Sequence, residues 1–266
     1  MIKSDKLHAS DDPMTKQTGL DKATQSLRES LFSGAFHPEE RVGEHAVAER
    51  LGVSRTLARL AMGALEREGL LLRSPRRGFT VRSFSIDEIV GAIEIRGELE
   101  AIAARKLAEA GFTEEQDRYF AGLLEESAAI LRAGTVTLDN RQRWTELNEE
   151  LHSGMIREAG VTALREAFVQ VVRLPLVAPR VIVFDTGDPE YSRPQLETAQ
   201  RDHQRILDAI RARQGTRAAE LMRDHSLRSG ENKKLNLKRM QDSATLRSLP
   251  GGPLISLSTP EDESCS

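Results

Sequence analysis

The chain has 266 residues, of which 30% are charged and 4% aromatic, with a formal net charge of −3 and a single cysteine, Cys265. This length accommodates two domains with separate cores, and the composition favours solvent-facing amphipathic helices over a β-sandwich. One cysteine excludes a disulfide framework, and the lack of a run of about 18 apolar residues or of a signal-peptide core predicts a cytoplasmic protein with no membrane partner.

The first part of the chain predicts a winged helix-turn-helix domain preceded by a tail. Residues 1–18 show no hydrophobic periodicity, so we expect a disordered tail there and a domain at 19–83. Gly52 breaks one short helix, and Ser54 can cap the next by accepting a bond from its free N–H groups. The expected elements are helices from Leu20 to Leu31, Glu44 to Leu51 and Arg55 to Glu68, followed by a hairpin with strands at 70–72 and 79–81.

The third of these helices has the pattern of a DNA-reading helix. Ala58 and Leu65 lie on its apolar stripe, whereas Arg55, Thr56 and Arg59 gather on roughly the opposite face. An exposed α-helix fits the major groove of DNA, where arginine can bond both acceptors of a guanine. We therefore interpret this face as the surface that reads the bases.

The tip of the hairpin adds a second basic surface. Arg76 and Arg77 would meet phosphates or the minor groove, and Gly78 would let the backbone approach closely. Arginines in such positions are often ordinary surface charges. Here the turn, the helix and the wing occur together in the right order, and Asp21–Phe84 contains 11 basic and 8 acidic side chains. Both observations favour DNA binding.

The segment from Glu44 to Thr56, continued by Arg59 and by Arg77-Gly78, resembles the DNA-binding domain of GntR-family regulators. After Ser-Arg-Thr the family usually has Pro-Val-Arg-Glu-Ala-Leu, whereas this chain keeps the arginine and lacks the proline and the glutamate. The resemblance implies a double-stranded DNA operator, with contacts at Ser54, Arg55, Thr56, Arg59, Arg77 and Gly78. His45 lies where some members have an arginine.

Residues 84–237 predict a second, all-helical domain, which makes the fold class mainly α. Capping boxes at Ser85 and Thr113 open helices that run to the neighbourhood of Ala110 and Ala133. Further helices are expected at 139–158, 161–178, 195–213 and 216–235, with a loop at 187–194 and with Pro175 and Pro179 kinking or ending the second of the four. Residues 238–266 turn to Ser, Pro, Gly and acidic residues, which predicts a disordered tail.

Three histidines of this domain, His152, His203 and His225, each lie on the apolar stripe of a different helix. A single inward histidine is usually a hydrogen-bonded core residue. Three of them are harder to bury, since an unpaired polar group costs about 1–3 kcal/mol. Asn148 lies one turn before His152 on the same face. A divalent metal would satisfy the whole set inside a helical bundle.

The order of motifs in this domain is similar to that of the FCD-type sensor domain of the FadR subfamily. The motifs are Arg96-Gly97-Glu98-Leu99-Glu100, Asn148 with His152, His203 to Ile210, and Met222 to His225. The resemblance implies a bundle of six or seven helices and a divalent metal, often zinc, held by Asn148, His152, His203 and His225. The segment from Ala92 to Gly97 also resembles the vanillate-responsive repressors of that subfamily. The resemblance implies a small organic acid as effector, and an aromatic acid in particular.

Arg96 faces inward with Ile89 and Ile93 and has two interpretations. It could grip an effector carboxylate with two parallel bonds, or it could form an internal ion pair with Glu100 one turn later. The residues alone leave both open, and the family resemblance favours the carboxylate.

The sequence therefore predicts a homodimeric repressor that binds DNA and senses a small acid. A metalloenzyme is the alternative from another class, but Glu149 and Glu150 point away from the face of Asn148 and His152, and the winged helix would have no role. An activator, or a regulator for which the metal itself is the signal, also fits the sequence.

Overall fold

The computed structural model of the chain describes residues 18–74, 78–133, 138–183, 189–240 and 244–256. Over this part the fold is mainly α, with a winged helix-turn-helix followed by an all-helical bundle, which confirms the expected fold class. In the described ranges, none of the helices combines the length and the apolar character of a membrane span.

The N-terminal domain contains the three expected helices and a three-stranded sheet. Its elements are α1 (Gly19–Phe32), β1 (Arg41–Val42), α2 (Glu44–Leu51), α3 (Arg55–Arg67), β2 (Leu71–Arg73) and β3 (Phe79–Val81). The sheet is antiparallel in the order β1-β3-β2, and the sequence analysis missed β1 because it has only two residues. Gly78 has a φ of 92°, and a Cβ there would lie 3.2 Å from the carbonyl oxygen of Val42. The backbone of β1 therefore requires glycine at this position.

The C-terminal bundle has six helices over the described residues. After β4 (Phe84–Ser85) they are α4 (Ile86–Ala110), α5 (Glu114–Arg132), α6 (Leu138–Glu158), α7 (Thr162–Val172), α8 (Pro189–Arg211) and α9 (Gly215–Arg239). The capping boxes at Ser85 and Thr113 form as expected. The central helix α4 packs along α9 in the most extensive helix pair of the molecule.

Proline accounts for two of the helix boundaries that differ from the expected ones. α7 ends at Val172, earlier than the expected residue 178, because Pro175 has no N–H to donate and its ring opposes continued helix. α8 begins at Pro189, inside the expected loop, since proline is favoured at the first helical position, where its missing N–H is not needed.

The C-terminal segment differs most from the expected disorder of residues 238–266. α9 continues to Arg239, and α10 (Ala244–Ser248), a 3-10 turn (Gly252–Leu254) and β5 (Ile255–Ser256) follow. β5 pairs with β4 in parallel, and Leu254 is fully buried. The composition of this segment concealed the few leucine and isoleucine side chains that dock it. Residues 1–17, 241–243 and 257–266 lie outside the described ranges.

Two large hydrophobic clusters form the core. One fills the bundle, and the other fills the N-terminal domain. The second also contains Leu176, Val177 and Val183 from the segment that follows α7, together with Leu237 of α9. The stretch 173–183, which we name the junction segment, therefore contributes to the core of the DNA-binding half although it belongs to the bundle.

Candidate DNA-binding surface and ligand site

The helix α3 is built to present its N-terminal half to solvent. The hydroxyl of Ser54 accepts a hydrogen bond from the backbone N–H of Leu57 at 3.2 Å, which caps the helix. Ala58 on the inner face is fully buried, whereas Arg55, Thr56 and Arg59 are exposed. Neither arginine forms an ion pair within the described part of the chain, so both are available to an external anion.

Two of the other residues assigned to DNA contact, His45 and Gly78, belong to the described part of the chain. His45 is exposed on α2, and Gly78 stands at the base of the wing. Arg77 lies outside the described residues. An α-helix with an exposed polar face, followed by a β-hairpin, is the arrangement of winged helix-turn-helix domains.

Three helices bring the three histidines together. His152 of α6, His203 of α8 and His225 of α9 offer ring nitrogens that all lie within 4.8 Å of one another. The Nε2 atoms of His203 and His225 are 3.3 Å apart. The rings are 1%, 2% and 5% exposed, respectively. This convergence of three imidazoles from separate helices is the arrangement that a metal site requires.

Burial keeps two of these rings in the form that binds metal. Burial lowers the pKa of His203 well below its ordinary value, and the neighbouring rings lower it further. Burial also lowers the pKa of His225, although Asp202 opposes the change. A neutral imidazole carries the lone pair that coordinates a metal, so the lowered pKa values of His203 and His225 favour the coordinating form of these two rings.

Two buried carboxylates stand behind the histidines. Oε1 of Glu100 lies 3.1 Å from Nδ1 of His152, and Oδ2 of Asp202 lies 3.5 Å from Nδ1 of His225. Burial acts to raise the pKa of Glu100, but His152 and Arg96 outweigh it and the pKa is lowered. Carboxylates at this position orient metal-binding imidazoles through the second ring nitrogen and increase their basicity.

Asn148 lines the same cavity as His152 and His225 and adds an oxygen donor there. Its side-chain NH₂ donates to the carbonyl oxygen of Pro179 at 2.8 Å, which leaves the amide oxygen as the atom available to a ligand. Three imidazole nitrogens and one amide oxygen suit zinc or another first-row divalent ion.

The cluster opens onto a cavity of about 70 Å³. Its walls include the ligand-bearing residues Asn148, His152 and His225, the cations Arg96, Arg228 and Lys233, and the apolar side chains Val183, Ile182 and Leu196. A cavity of this size, with charge at one wall and apolar surface at another, suits a small polar ligand.

Arg96 satisfies parts of both of its interpretations. Its Nε lies 3.3 Å from Oε1 of Glu100, as an internal ion pair requires, and its Nη1 donates to the carbonyl oxygen of Val177. The residue also lines the cavity, so a ligand can reach it.

Sequence reasoning missed Trp144, Asp202, Lys233 and Asn236, which also line the cavity. The signal for two of them was helical spacing, since Lys233 and Asn236 follow His225 by eight and eleven residues and share its face. Lysine on a helix is normally read as a surface residue, which hid the pattern.

A DNA-reading winged helix joined to a helical domain with a buried ligand site defines a ligand-responsive transcriptional regulator. Residues 20–81 match the bacterial regulatory proteins of the gntR family, and residues 92–228 match the FCD domain. The chain belongs to the GntR family and carries an FCD domain.

Relatives of known name agree with this assignment. The HTH-type transcriptional regulator YdhC of Bacillus subtilis (strain 168) is 29% identical over 199 residues, which cover 72% of this chain and 84% of YdhC. The HTH-type transcriptional repressor GlaR of Escherichia coli (strain K12) is 25% identical over 205 residues, covering 76% of this chain and 89% of GlaR. These relatives are regulators, and the metalloenzyme alternative is therefore set aside.

Solved structures show the same fold. Escherichia coli McbR/YncC has a TM-score of 0.57 at 20% identity, covering 84% of this chain and 99% of that one. A GntR regulator from Rhodococcus sp. RHA1 has a TM-score of 0.53 at 19% identity, covering 80% of this chain and 96% of that one.

Proposed function

We propose that this protein is a cytoplasmic, homodimeric repressor whose operator binding is controlled by a small organic acid bound beside a divalent metal. The observation that carries the proposal is the cluster of three buried histidines, of which His152 and His225 line a cavity that also contains arginine and lysine. A metal together with the three cationic side chains that line this cavity would select an anion, and a carboxylate is a common small anion that metals and such side chains both recognise.

In this proposal α3 enters the major groove of the operator. Arg55 and Arg59 contact base edges, while Ser54, Thr56 and Gly78 approach the phosphates. Arg77 and His45 extend the contact on either side. The name of the relative GlaR supports repression as the direction of control.

In the sensor domain Asn148, His152, His203 and His225 would hold the metal, and zinc suits this donor set best. A bound metal supplies positive charge and a coordination position for a carboxylate oxygen. Arg96 would grip the acid from the side, and the apolar wall that includes Leu196 would contact the remainder of the acid.

A second copy of the chain would place two recognition helices on a near-palindromic operator. Two large apolar side chains on the α4–α9 pair support such an interface, because Ile95 is 58% exposed and Leu227 is 50% exposed. They stand close in sequence to Gly97 and Ser226, where the two helices meet. Aspartate at both positions is expected to give a monomer in analytical ultracentrifugation.

The junction segment offers a physical route from the ligand to the DNA-binding half. The carbonyl oxygens of Val177 and Pro179 accept bonds from Arg96 and Asn148, respectively, both of which line the cavity. At the start of the segment Arg173 forms an ion pair of 3.0 Å with Glu68 at the end of α3. A ligand that binds one arrangement of this segment better than the other would shift the orientation of the DNA-binding domain.

The DNA assignment is tested with fluorescence anisotropy on the intergenic DNA upstream of the gene, with a scrambled duplex at the same salt as the reference. Arg55→Ala and Arg59→Ala are each expected to weaken operator binding by about 1–3 kcal/mol. Arg217→Ala, an exposed arginine on α9, is the matched control and should bind as the wild type does. Unchanged affinity in both α3 variants would reject the recognition helix. A reporter driven by this DNA then separates repression from activation.

The metal assignment is tested by elemental analysis of purified protein. The double variant His203→Ala/His225→Ala is expected to lose the metal, whereas His45→Ala on the exposed face of α2 should retain it. Full metal content in the double variant, with an unchanged circular dichroism spectrum, would reject the site.

A further inference from the structure

Lys233 is a buried cation that the metal site does not use. It is 5% exposed, and its Nζ donates to the carbonyl oxygens of Leu176 and, at 2.7 Å, Val181. Among the described residues no carboxylate lies within ion-pair distance of it. Buried charges are normally paired, because an isolated one is costly to remove from water.

The other charges of the cavity are already paired. Arg96 lies beside Glu100, and Arg228 contacts Asp202 at 2.8 Å. Lys233 therefore leaves the cavity with one uncompensated positive charge, before any metal is counted. Burial lowers the pKa of Lys233 well below its ordinary value, and Arg96 lowers it further, which shows how unfavourable this environment is for a cation without a counter-ion.

Four buried polar atoms of the described lining residues form no hydrogen bond, and two of them also have no ion-pair neighbour. Nε1 of Trp144 and Oδ1 of Asn236 are buried and form no hydrogen bond in the structure. The indole N–H of Trp144 is a hydrogen-bond donor, and the amide oxygen of Asn236 is an acceptor. A ligand that bonds to both must therefore offer an acceptor to Trp144 and a donor to Asn236. A hydroxyl group provides both.

We propose that Lys233 is the residue that binds the carboxylate of the effector, and that the effector is a small acid that also carries a hydroxyl group. This inference rests on the proposed acid-binding function, and it assigns the main contact with the carboxylate to Lys233 instead of Arg96. Arg96, which already has a carboxylate neighbour, supports the site, whereas Lys233 supplies the free charge. Lys233 also lies beyond residues 92–228, the part of the chain that matches the FCD domain.

The probes are acetate and glycolate, small enough for any carboxylate site, with acetamide as the uncharged analogue. Acetate and glycolate each replace chloride at constant ionic strength, whereas acetamide is added at the same concentration to the chloride buffer. The melting temperature of the metal-loaded, full-length protein is then measured. Acetate is expected to raise the melting temperature of the wild type by about 2 °C or more relative to chloride and acetamide. Glycolate, with its hydroxyl, is expected to raise it further.

The decisive variant is Lys233→Gln, which keeps an N–H donor for the carbonyls of the junction segment and removes the charge. It is expected to fold, to retain its metal and to lose most of the acetate shift, and Lys233→Arg should keep part of it. Lys234→Gln is the matched control, because this neighbouring lysine pairs with Asp87 on α4 and does not line the cavity. It should respond as the wild type does.

The outcomes separate the two proposals. If Lys233→Gln keeps the full acetate shift, the role of Lys233 is wrong and the acid site stands. If acetate does not stabilise the wild type, the carboxylate site itself is wrong, while the DNA and metal tests remain independent of it. Equal shifts with acetate and glycolate would refute the hydroxyl group.

Discussion

Lys233 is an unusual residue, because it is buried between the bundle and the junction segment and no carboxylate of the described residues lies within ion-pair distance of it. Its surroundings contain carbonyl oxygens of Leu176 and Val181 and the guanidinium of Arg96 from α4. Of these groups only Lys233 titrates below pH 12, since arginine stays protonated. The lowered pKa of Lys233 therefore has a direct consequence for stability.

We expect Lys233→Gln to be more stable than the wild type at pH 7, by on the order of 1 kcal/mol or more, and this advantage to shrink as the pH rises toward about 10. Burial, assisted by Arg96, lowers the pKa in the folded state, so the unfolded chain binds the proton more tightly. The loss of stability caused by the buried lysine is complete at pH values below its pKa in the folded state. It disappears above its pKa in the unfolded state, which is about 10.4. Urea unfolding of both proteins between pH 7 and pH 10 measures it. A difference that stays constant with pH would contradict this account.

At the scale of elements, the contact of α4 with α9 depends on a small residue at their crossing. A Cβ added at Gly97 would lie 2.3 Å from the Cβ of Ser226. The hydroxyl of Ser226 donates to the carbonyl oxygen of Ile93 at 3.0 Å, which ties the two helices together at this point. The same pair of helices carries Arg96 and His225, so the closeness of this contact also sets the width of the ligand site.

Gly97→Ala is expected to lower the free energy of unfolding by about 1–3 kcal/mol, because the added methyl group must push the helices apart. Gly91→Ala in the same helix is the matched control, since a Cβ there meets nothing within 4 Å. Alanine is the better helix former, so the control should be neutral or stabilised by up to about 1 kcal/mol. Chemical denaturation gives both values, and equal effects at the two positions would rule out the close packing.

Elements with a strong local pattern could be predicted, and those defined by distant partners could not. The starts of three helices could be predicted from the capping residues Ser54, Ser85 and Thr113, because a cap acts within one turn. The three histidines could be predicted because the apolar stripe of each helix identifies its inner face. β1 and β5 are two-residue strands whose only reason to exist is the strand beside them. The docking of residues 244–256 on the N-terminal domain likewise depends on a surface formed far away in the sequence.

The same distinction applies to the candidate site. The histidine set follows from one helix at a time, and its convergence follows from the bundle. The polar contacts with the junction segment could not be predicted in this way. In these contacts the side chains bond to backbone carbonyl oxygens, which carry no sequence signature. Lys233 and Asn236 are recognisable as site residues only when Val181 and Val183 are seen to accept their bonds.

At the scale of the whole molecule, the junction segment links the cavity to the DNA-binding domain. Polar side chains of α4, α6 and α9 hold its carbonyl oxygens, while its apolar side chains Leu176 and Val177 belong to the cluster that fills the N-terminal domain. At its start Arg173 meets Glu68, which also accepts bonds from Arg28 of α1. A displacement of this segment by a ligand would therefore be felt directly at the C-terminal end of the recognition helix.

Coupling between two sites typically changes the affinity at one of them by about 5–150-fold. We expect Arg173→Gln to reduce the effect of acid on operator affinity by several-fold. The thermal shift caused by acetate should stay as in the wild type. The variant breaks the contact with Glu68 and leaves the cavity intact, since Arg173 does not line it. Arg180→Gln is the control from the same segment, because Arg180 faces Glu149 within the bundle. Anisotropy titrations on operator DNA, with acetate replacing chloride at constant ionic strength, measure the response of all three proteins. If Arg173→Gln and Arg180→Gln respond equally, the contact of Arg173 with Glu68 does not couple the cavity to operator binding. The docked residues 244–256 would then be the next connection between the two domains to disrupt by mutation.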